Sequence, residues 1–168
     1  MSDKVLIAFA TKAGSTKEVA EAIGQELREA GAEVEVRLAK DVKDLSPYQA
    51  VIVGSAIRMA KWVSEATKFV ERNRDALSQM PVAYFVVCMT MTDDTDKSRR
   101  TVEAYLDPVC ELVEPVDKGL FAGVMDCSKL SFPARMMAKA LKVSEGDYRD
   151  WEAIRAWGRE VHSRLMAE

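Results

Sequence analysis

Three observations predict a doubly wound α/β fold, with helices on both faces of a five-stranded parallel sheet in the order 2-1-3-4-5. Short apolar runs alternate with helical patterns at the spacing of βαβ units. The first run is apolar at all but its first position, as befits a strand buried on both faces. The chain has 168 residues, enough for five strands and their crossover helices in one domain spanning 1–168.

The first strand is expected over Lys4–Ala10 (KVLIAFA). After Thr11-Lys12-Ala13-Gly14-Ser15-Thr16, Val19, Ile23 and Leu27 recur every four residues, with Ala20 and Ala30 beside them, and predict a helix. Ser15 and Glu18 have the spacing of a capping box. Gly31 suits the left-handed position after the helix. Glu33–Leu38 alternates polar and apolar, the pattern of a half-exposed edge strand.

A polar link containing Ser46-Pro47 leads to a third strand, Ala50–Gly54 (AVIVG). The loop Ser55–Trp62 precedes a second helix marked by Val63, Ala66, Phe69 and Val70, which ends near Asn73. Pro81 introduces a fourth strand, Val82–Val87, followed by a polar loop. A third helix is expected over Lys97–Leu112, kinked or interrupted at Pro108. Leu120–Met125 predicts the fifth strand, and helical patterns over Pro133–Lys142 and Trp151–Met166 close the chain.

Composition narrows the class. Lys and Arg number 24 against 27 Asp and Glu, a net charge of −3, with 48% hydrophobic and 30% charged residues. That balance is globular rather than disordered. No apolar stretch is long enough to span a membrane. Met1-Ser2-Asp3-Lys4 leads straight into the first strand without the pattern of a signal peptide. The three cysteines, Cys88, Cys110 and Cys127, lack CxxC spacing, and His162 is the only histidine. Neither a disulfide framework nor a metal site is expected, and a reducing cytoplasm fits best. The mild acidity argues against non-specific nucleic-acid binding.

In such a sheet ligands bind where the strand order reverses, outside the C-terminal ends of strands one and three. The loops concerned are Thr11–Thr16, Ser55–Trp62 and Cys88–Asp96. The first is hydroxyl-rich and opens a helix, whose free N–H groups and dipole favour an anion. It reads either as a phosphate cradle or as an N-cap with a turn. GxxxxGK[ST] and GxGxxG are both absent. The acidic residues of a phospho-receiver and the glycine-rich loop of a cysteine phosphatase are missing too.

Ala10-Thr11-Lys12-Ala13-Gly14-Ser15-Thr16 resembles the phosphate loop of flavodoxins. Val53-Gly54-Ser55-Ala56-Ile57-Arg58 resembles the first flavin-ring loop of one branch, the menaquinone-dependent protoporphyrinogen dehydrogenases and their flavodoxin-domain relatives. Phe121-Ala122-Gly123, Arg135-Met136-Met137 and Asp150-Trp151-Glu152 extend the resemblance along the chain. It implies a flavodoxin-like three-layer sandwich with FMN as cofactor. Thr11, Lys12, Ala13, Gly14, Ser15 and Thr16 would hold the phosphate. Ser55, Ala56, Ile57 and Arg58 would border the ring, and Cys88, Met89, Thr90 and Met91 would form its other wall. Trp62 is either an added aromatic at the ring or a core anchor. Arg58 is the candidate catalytic residue.

The implied activity is that of an FMN-dependent oxidoreductase. It would pass electrons from a small-molecule reductant to a quinone-like acceptor. The alternatives are a flavodoxin-type carrier serving redox-protein partners and a flavin-free interaction module.

Lys129–Lys142 carries Lys129, Arg135, Lys139 and Lys142 and no acid. This segment reads either as a solvated helix face or as a peripheral contact with the inner face of a membrane. Asp93, Asp94 and Asp96 read as a solvated loop or, alternatively, as a patch that keeps FMN at low potential or docks a partner. Cys88 and Cys127 are inert thiols or, alternatively, a redox pair.

Overall fold

The computed structural model describes residues 4–11, 15–58, 60–92, 95–125, 133, 136 and 146–167. Strand β1 (Lys4–Ala10) leads to helix α1 (Ser15–Glu29), β2 (Glu33–Leu38), a 3₁₀ turn (Ala39–Asp41), β3 (Ala50–Arg58) and β4 (Lys61–Trp62). Helices α2 (Ser64–Arg72) and α3 (Arg74–Leu77), strand β5 (Val82–Val87) and a second 3₁₀ turn (Met89–Thr92) follow. Then come α4 (Asp96–Tyr105), α5 (Asp107–Leu112), β6 (Asp117–Phe121), β7 (Val124–Met125), β8 (Gly146–Asp147) and α6 (Trp151–Met166).

The main sheet runs β2-β1-β3-β5-β6, all parallel, which is the expected order once the short strands are set aside. β1 lies inside the sheet, between β2 and β3, and Val5 to Ala10 are all buried. Alternate residues point to opposite faces. Val5, Ile7 and Phe9 join Ile52, Phe85 and Phe121 under α1 and α6. Leu6 and Ala8 join Val51, Val53, Tyr84 and Val86 under α2, α3, α4 and α5. The two clusters make the three layers, and each large side chain so buried contributes about 1.5–3 kcal/mol.

α1 ends as its sequence predicts. Gly31 has φ +102°. Its N–H donates to the Arg28 carbonyl at 3.0 Å, and the Ala32 N–H donates to the Leu27 carbonyl at 3.0 Å. This is a Schellman close, which glycine allows without strain. The start of α1 differs from expectation. Ser15 is already helical, and Glu18 bonds to Arg149 rather than serving a capping box.

Three further elements depart from their predicted limits. β3 continues four residues past Gly54 and folds back as β4, with Ile57 opposite Trp62 and Arg58 opposite Lys61. The turn between them holds Ala60 at φ 63°, where no glycine marks it. The third helix breaks at Leu106 because Pro108, at the first turn of α5, has no N–H to continue the ladder. The fifth strand starts earlier, at Asp117, and stops at Phe121; Val124–Met125 instead pairs antiparallel with β8. Its polar start is tolerated because β6 is a sheet edge. Of Pro133–Lys142, only Pro133 and Met136 are among the described residues; both are helical and exposed.

On the opposite edge strand, Glu35 bonds the Tyr48 hydroxyl and pairs with Lys4 at 2.9 Å and Arg37 at 3.2 Å. The Tyr48 hydrogen bond and then Lys4 hold the Glu35 carboxyl down to about 2. Burial, and then Glu35, push Tyr48 up to about 12. The stabilisation from Glu35 is therefore complete above its unfolded value of 4.5 and is lost as the pH falls from there towards 2. The group is partly exposed, so the expected loss is about 1 kcal/mol or less. Urea denaturation of Glu35→Gln should show a flatter acid limb than the parent; parallel limbs would contradict the assignment.

Candidate functional site

The strand order reverses at β1 and β3: the chain leaves β1 for β2 on one side, and β3 leads to β5 on the other. A crevice at the C-terminal ends of these two strands is the expected ligand position. Thr11 leaves β1 there, half-buried. It lines a cavity of about 360 Å³ with Phe9, Lys17, Val36, Arg37, Leu38 and Asp41. It also lines a second cavity, of about 200 Å³, with Phe9, Ala10, Leu38, Ala39, Lys40 and Glu65. Lys12, Ala13 and Gly14 lie outside the described residues.

Thr16 is the most informative member of this loop. It stands in the first turn of α1 with 0% exposure, and its hydroxyl oxygen has no hydrogen-bond partner among the described residues. A buried hydroxyl without a partner costs about 1–3 kcal/mol. The adjoining N–H groups of the first turn also lack helical acceptors, and the dipole concentrates partial positive charge there. Ser15 is half-buried beside it. An anion bound here would relieve the orphaned hydroxyl and the free N–H groups together.

Ser55, expected beside a ring, is instead enclosed at 0% exposure. Its hydroxyl donates to the Ala56 carbonyl at 2.7 Å and accepts the Val63 N–H at 2.9 Å. It thus ties the extension of β3 to the residue that opens α2. Ser55→Ala strands the buried Val63 N–H and should cost about 1–3 kcal/mol in thermal or urea unfolding. Unchanged stability would show that this tie is dispensable. Ala56 and Ile57 are half-buried on the same segment, and the Arg58 backbone pairs with Lys61.

Trp62 is in the core. It is 6% exposed and meets the Tyr84 ring edge-on, with centroids 5.3 Å apart. The cavity it lines, about 520 Å³, lies between α2 and the α4–α5 pair, and its described lining residues do not include Thr11, Ser15 or Thr16.

The expected wall after β5 divides in two. Cys88 and Met91 are buried, and Met91 packs into the core beneath α4. The Cys88 N–H donates to the Phe121 carbonyl at 2.8 Å, and its carbonyl accepts the Met91 N–H at 3.1 Å. Met89 and Thr90 are half-buried and remain available to a ligand. Cys127, Asp93 and Asp94 lie outside the described residues. Asp96 is exposed at the start of α4. Among the described residues, no group of three His, Cys, Asp or Glu side chains could hold a metal, and no helix is long and apolar enough to cross a membrane.

Sequence reasoning missed one residue beside this end of the sheet. Arg149 reaches Glu18 in the first turn of α1 and stacks over Trp151 at 4.6 Å. The partners are 131 positions apart, so no local pattern could reveal the pair.

The family described as Flavodoxin domain has a sequence model that matches residues 6–152. The chain is 28% identical to "Protoporphyrinogen IX dehydrogenase [quinone]" of Leishmania major over 183 residues, covering 99% of this chain and 78% of that protein. It is 25% identical to the Escherichia coli K12 protein of the same name over 170 residues, covering 94% of each. Among solved structures, a flavodoxin from the domain Archaea superposes with a TM-score of 0.60 at 18% identity, over 98% of this chain and 99% of that one.

Proposed function

The chain belongs to the flavodoxin-domain family, and from that membership we propose that it acts as one FMN-binding domain over residues 1–168, an FMN-dependent oxidoreductase. Its reductant is a reduced organic molecule of the porphyrinogen class, and its acceptor is quinone-like. The observation that carries the cofactor assignment is Thr16: a buried hydroxyl without a partner, at the N-terminus of a helix, at the switch point of the sheet. The named activity of the two relatives supports the substrate class.

Thr11, Ser15 and Thr16, with Lys12, Ala13 and Gly14, hold the FMN phosphate. Ala56, Ile57, Met89 and Thr90 border the ring. Ser55 and Trp62 act from beneath, by fixing the β3–β4 hairpin on the core; Cys88 and Met91 do the same for the turn after β5. FMN, when bound there, would supply the redox chemistry between substrate and acceptor. Arg58 supplies positive charge near the ring, where it meets an anionic substrate group or favours the reduced cofactor.

Arg58→Ala should lower turnover about tenfold or shift the flavin midpoint potential, as expected for loss of one charge-assisted contact. Unchanged kinetics and potential would remove Arg58 from the site. The function itself is tested by anaerobic mixing of the FMN-loaded protein with a porphyrinogen and a soluble quinone. Porphyrin formation coupled to quinone reduction is expected. Electron exchange with a reductase, without porphyrin formation, would make the protein a carrier instead.

A further inference from the structure

Arg149 lies just after β8 and just before α6, and its position is fixed from three sides. The Tyr148 N–H donates to the Gly123 carbonyl at 3.1 Å. Asp150 caps α6 by accepting the Ala153 N–H at 3.1 Å. The guanidinium itself stacks on Trp151 and donates through Nη1 to Glu18 Oε2. The Arg149 side chain is only 10% exposed, whereas its acidic partner is 61% exposed. An ion pair to a solvated carboxylate adds little stability by itself. The pair matters less for folding than for the charge it sets at the first turn of α1.

The location supplies a reason. Glu18 belongs to the same first turn of α1 as Ser15 and Thr16. A carboxylate there suits the helix dipole. It is unfavourable once a phosphate dianion occupies that helix end, because like charges then share one turn. The orphaned, fully buried Thr16 hydroxyl points independently to an anionic ligand at this turn.

We propose that Arg149 is a positioning residue for the phosphate site: by neutralising Glu18 it makes the first turn of α1 receptive to the dianionic phosphate of FMN. The inference rests on the FMN assignment above. It makes Arg149 specific for the phosphate and indifferent to the ring.

The test is a titration of the full chain, freed of flavin, with FMN and with riboflavin, which has the same ring but no phosphate. Four proteins are compared by flavin fluorescence: the parent, Arg149→Met, Glu18→Gln and the double variant. Arg149→Met keeps an apolar stem on Trp151 but leaves Glu18 unopposed, and should weaken FMN about tenfold. Glu18→Gln leaves a net positive turn and should tighten FMN about threefold. The double variant should return to within about twofold of the parent, since both charges are gone. Riboflavin affinity should be the same in all four, and Arg149→Lys should recover most of the FMN affinity. Equal losses for FMN and riboflavin in Arg149→Met would overturn the proposal, as would unchanged FMN affinity; either result leaves the FMN assignment standing. Should Arg149→Met fail to fold, exposed Glu18→Gln still decides, because unchanged FMN affinity there contradicts the charge argument. A parent protein that binds neither flavin overturns both.

Discussion

Gly54→Ala will destabilise the fold by about 3 kcal/mol, the upper part of the range for overpacking a core. Gly54 on β3 stands opposite Phe85 on β5. An added Cβ would lie 2.0 Å from Phe85 Cζ and 2.1 Å from Cε1. The ring has nowhere to retreat. It is fully buried, with its centroid 6.3 Å from that of Phe121 and 6.2 Å from that of Trp157. Those two rings pack against each other at 5.7 Å. Relief must therefore come from spreading β3 and β5, and Ser55, the next residue, would move with β3. Phe85→Leu alone opens a cavity and should also destabilise, but it should offset much of the Gly54→Ala cost when combined. Urea unfolding of the four proteins checks this. A double variant as unstable as the sum of the singles would show that the two positions do not share one space.

Thr16→Val separates structure from binding more sharply than any other substitution. Valine matches threonine in shape and lacks the hydroxyl. Because that hydroxyl is buried without a partner, its removal should leave the flavin-free protein equally stable, or more stable by about 1 kcal/mol. With FMN bound the sign reverses. The lost hydrogen bond to a charged group is worth about 1.5–3 kcal/mol, so affinity should fall by a factor of about 10 to 100. Thermal melting with and without FMN reads both effects. A flavin-free protein that melts much lower, with FMN affinity intact, would mean that the hydroxyl serves the fold.

Much of this architecture was legible because its signals are local. β1 is buried on both faces and is apolar at nearly every position. α1 carries its apolar residues four apart, and Gly31 marks its close. The order of elements then restricts the topology, since parallel crossovers have one hand. What escaped was non-local or unmarked. The β3–β4 hairpin turns through Ala60 at positive φ, with none of the glycine or asparagine that usually signals such a turn. Ser55, Cys88 and Met91 sit in loop sequence, yet their side chains belong to the interior. Trp62 had two open readings, and only the Tyr84 ring beside it resolves them in favour of the core. The Arg149–Glu18 pair links the two ends of the chain, where no periodicity can register it.

The family match and the sheet topology establish the scaffold; the assignment of a flavin depends on the helix end around Thr16. The direct measurement is equilibrium binding of FMN to the flavin-free full chain, followed by quenching of flavin fluorescence, with Thr16→Val and riboflavin alongside. One FMN per chain is predicted, bound more tightly than riboflavin and weakened by the valine. No uptake of FMN at micromolar concentrations, or uptake indifferent to both the phosphate and Thr16, would contradict the account.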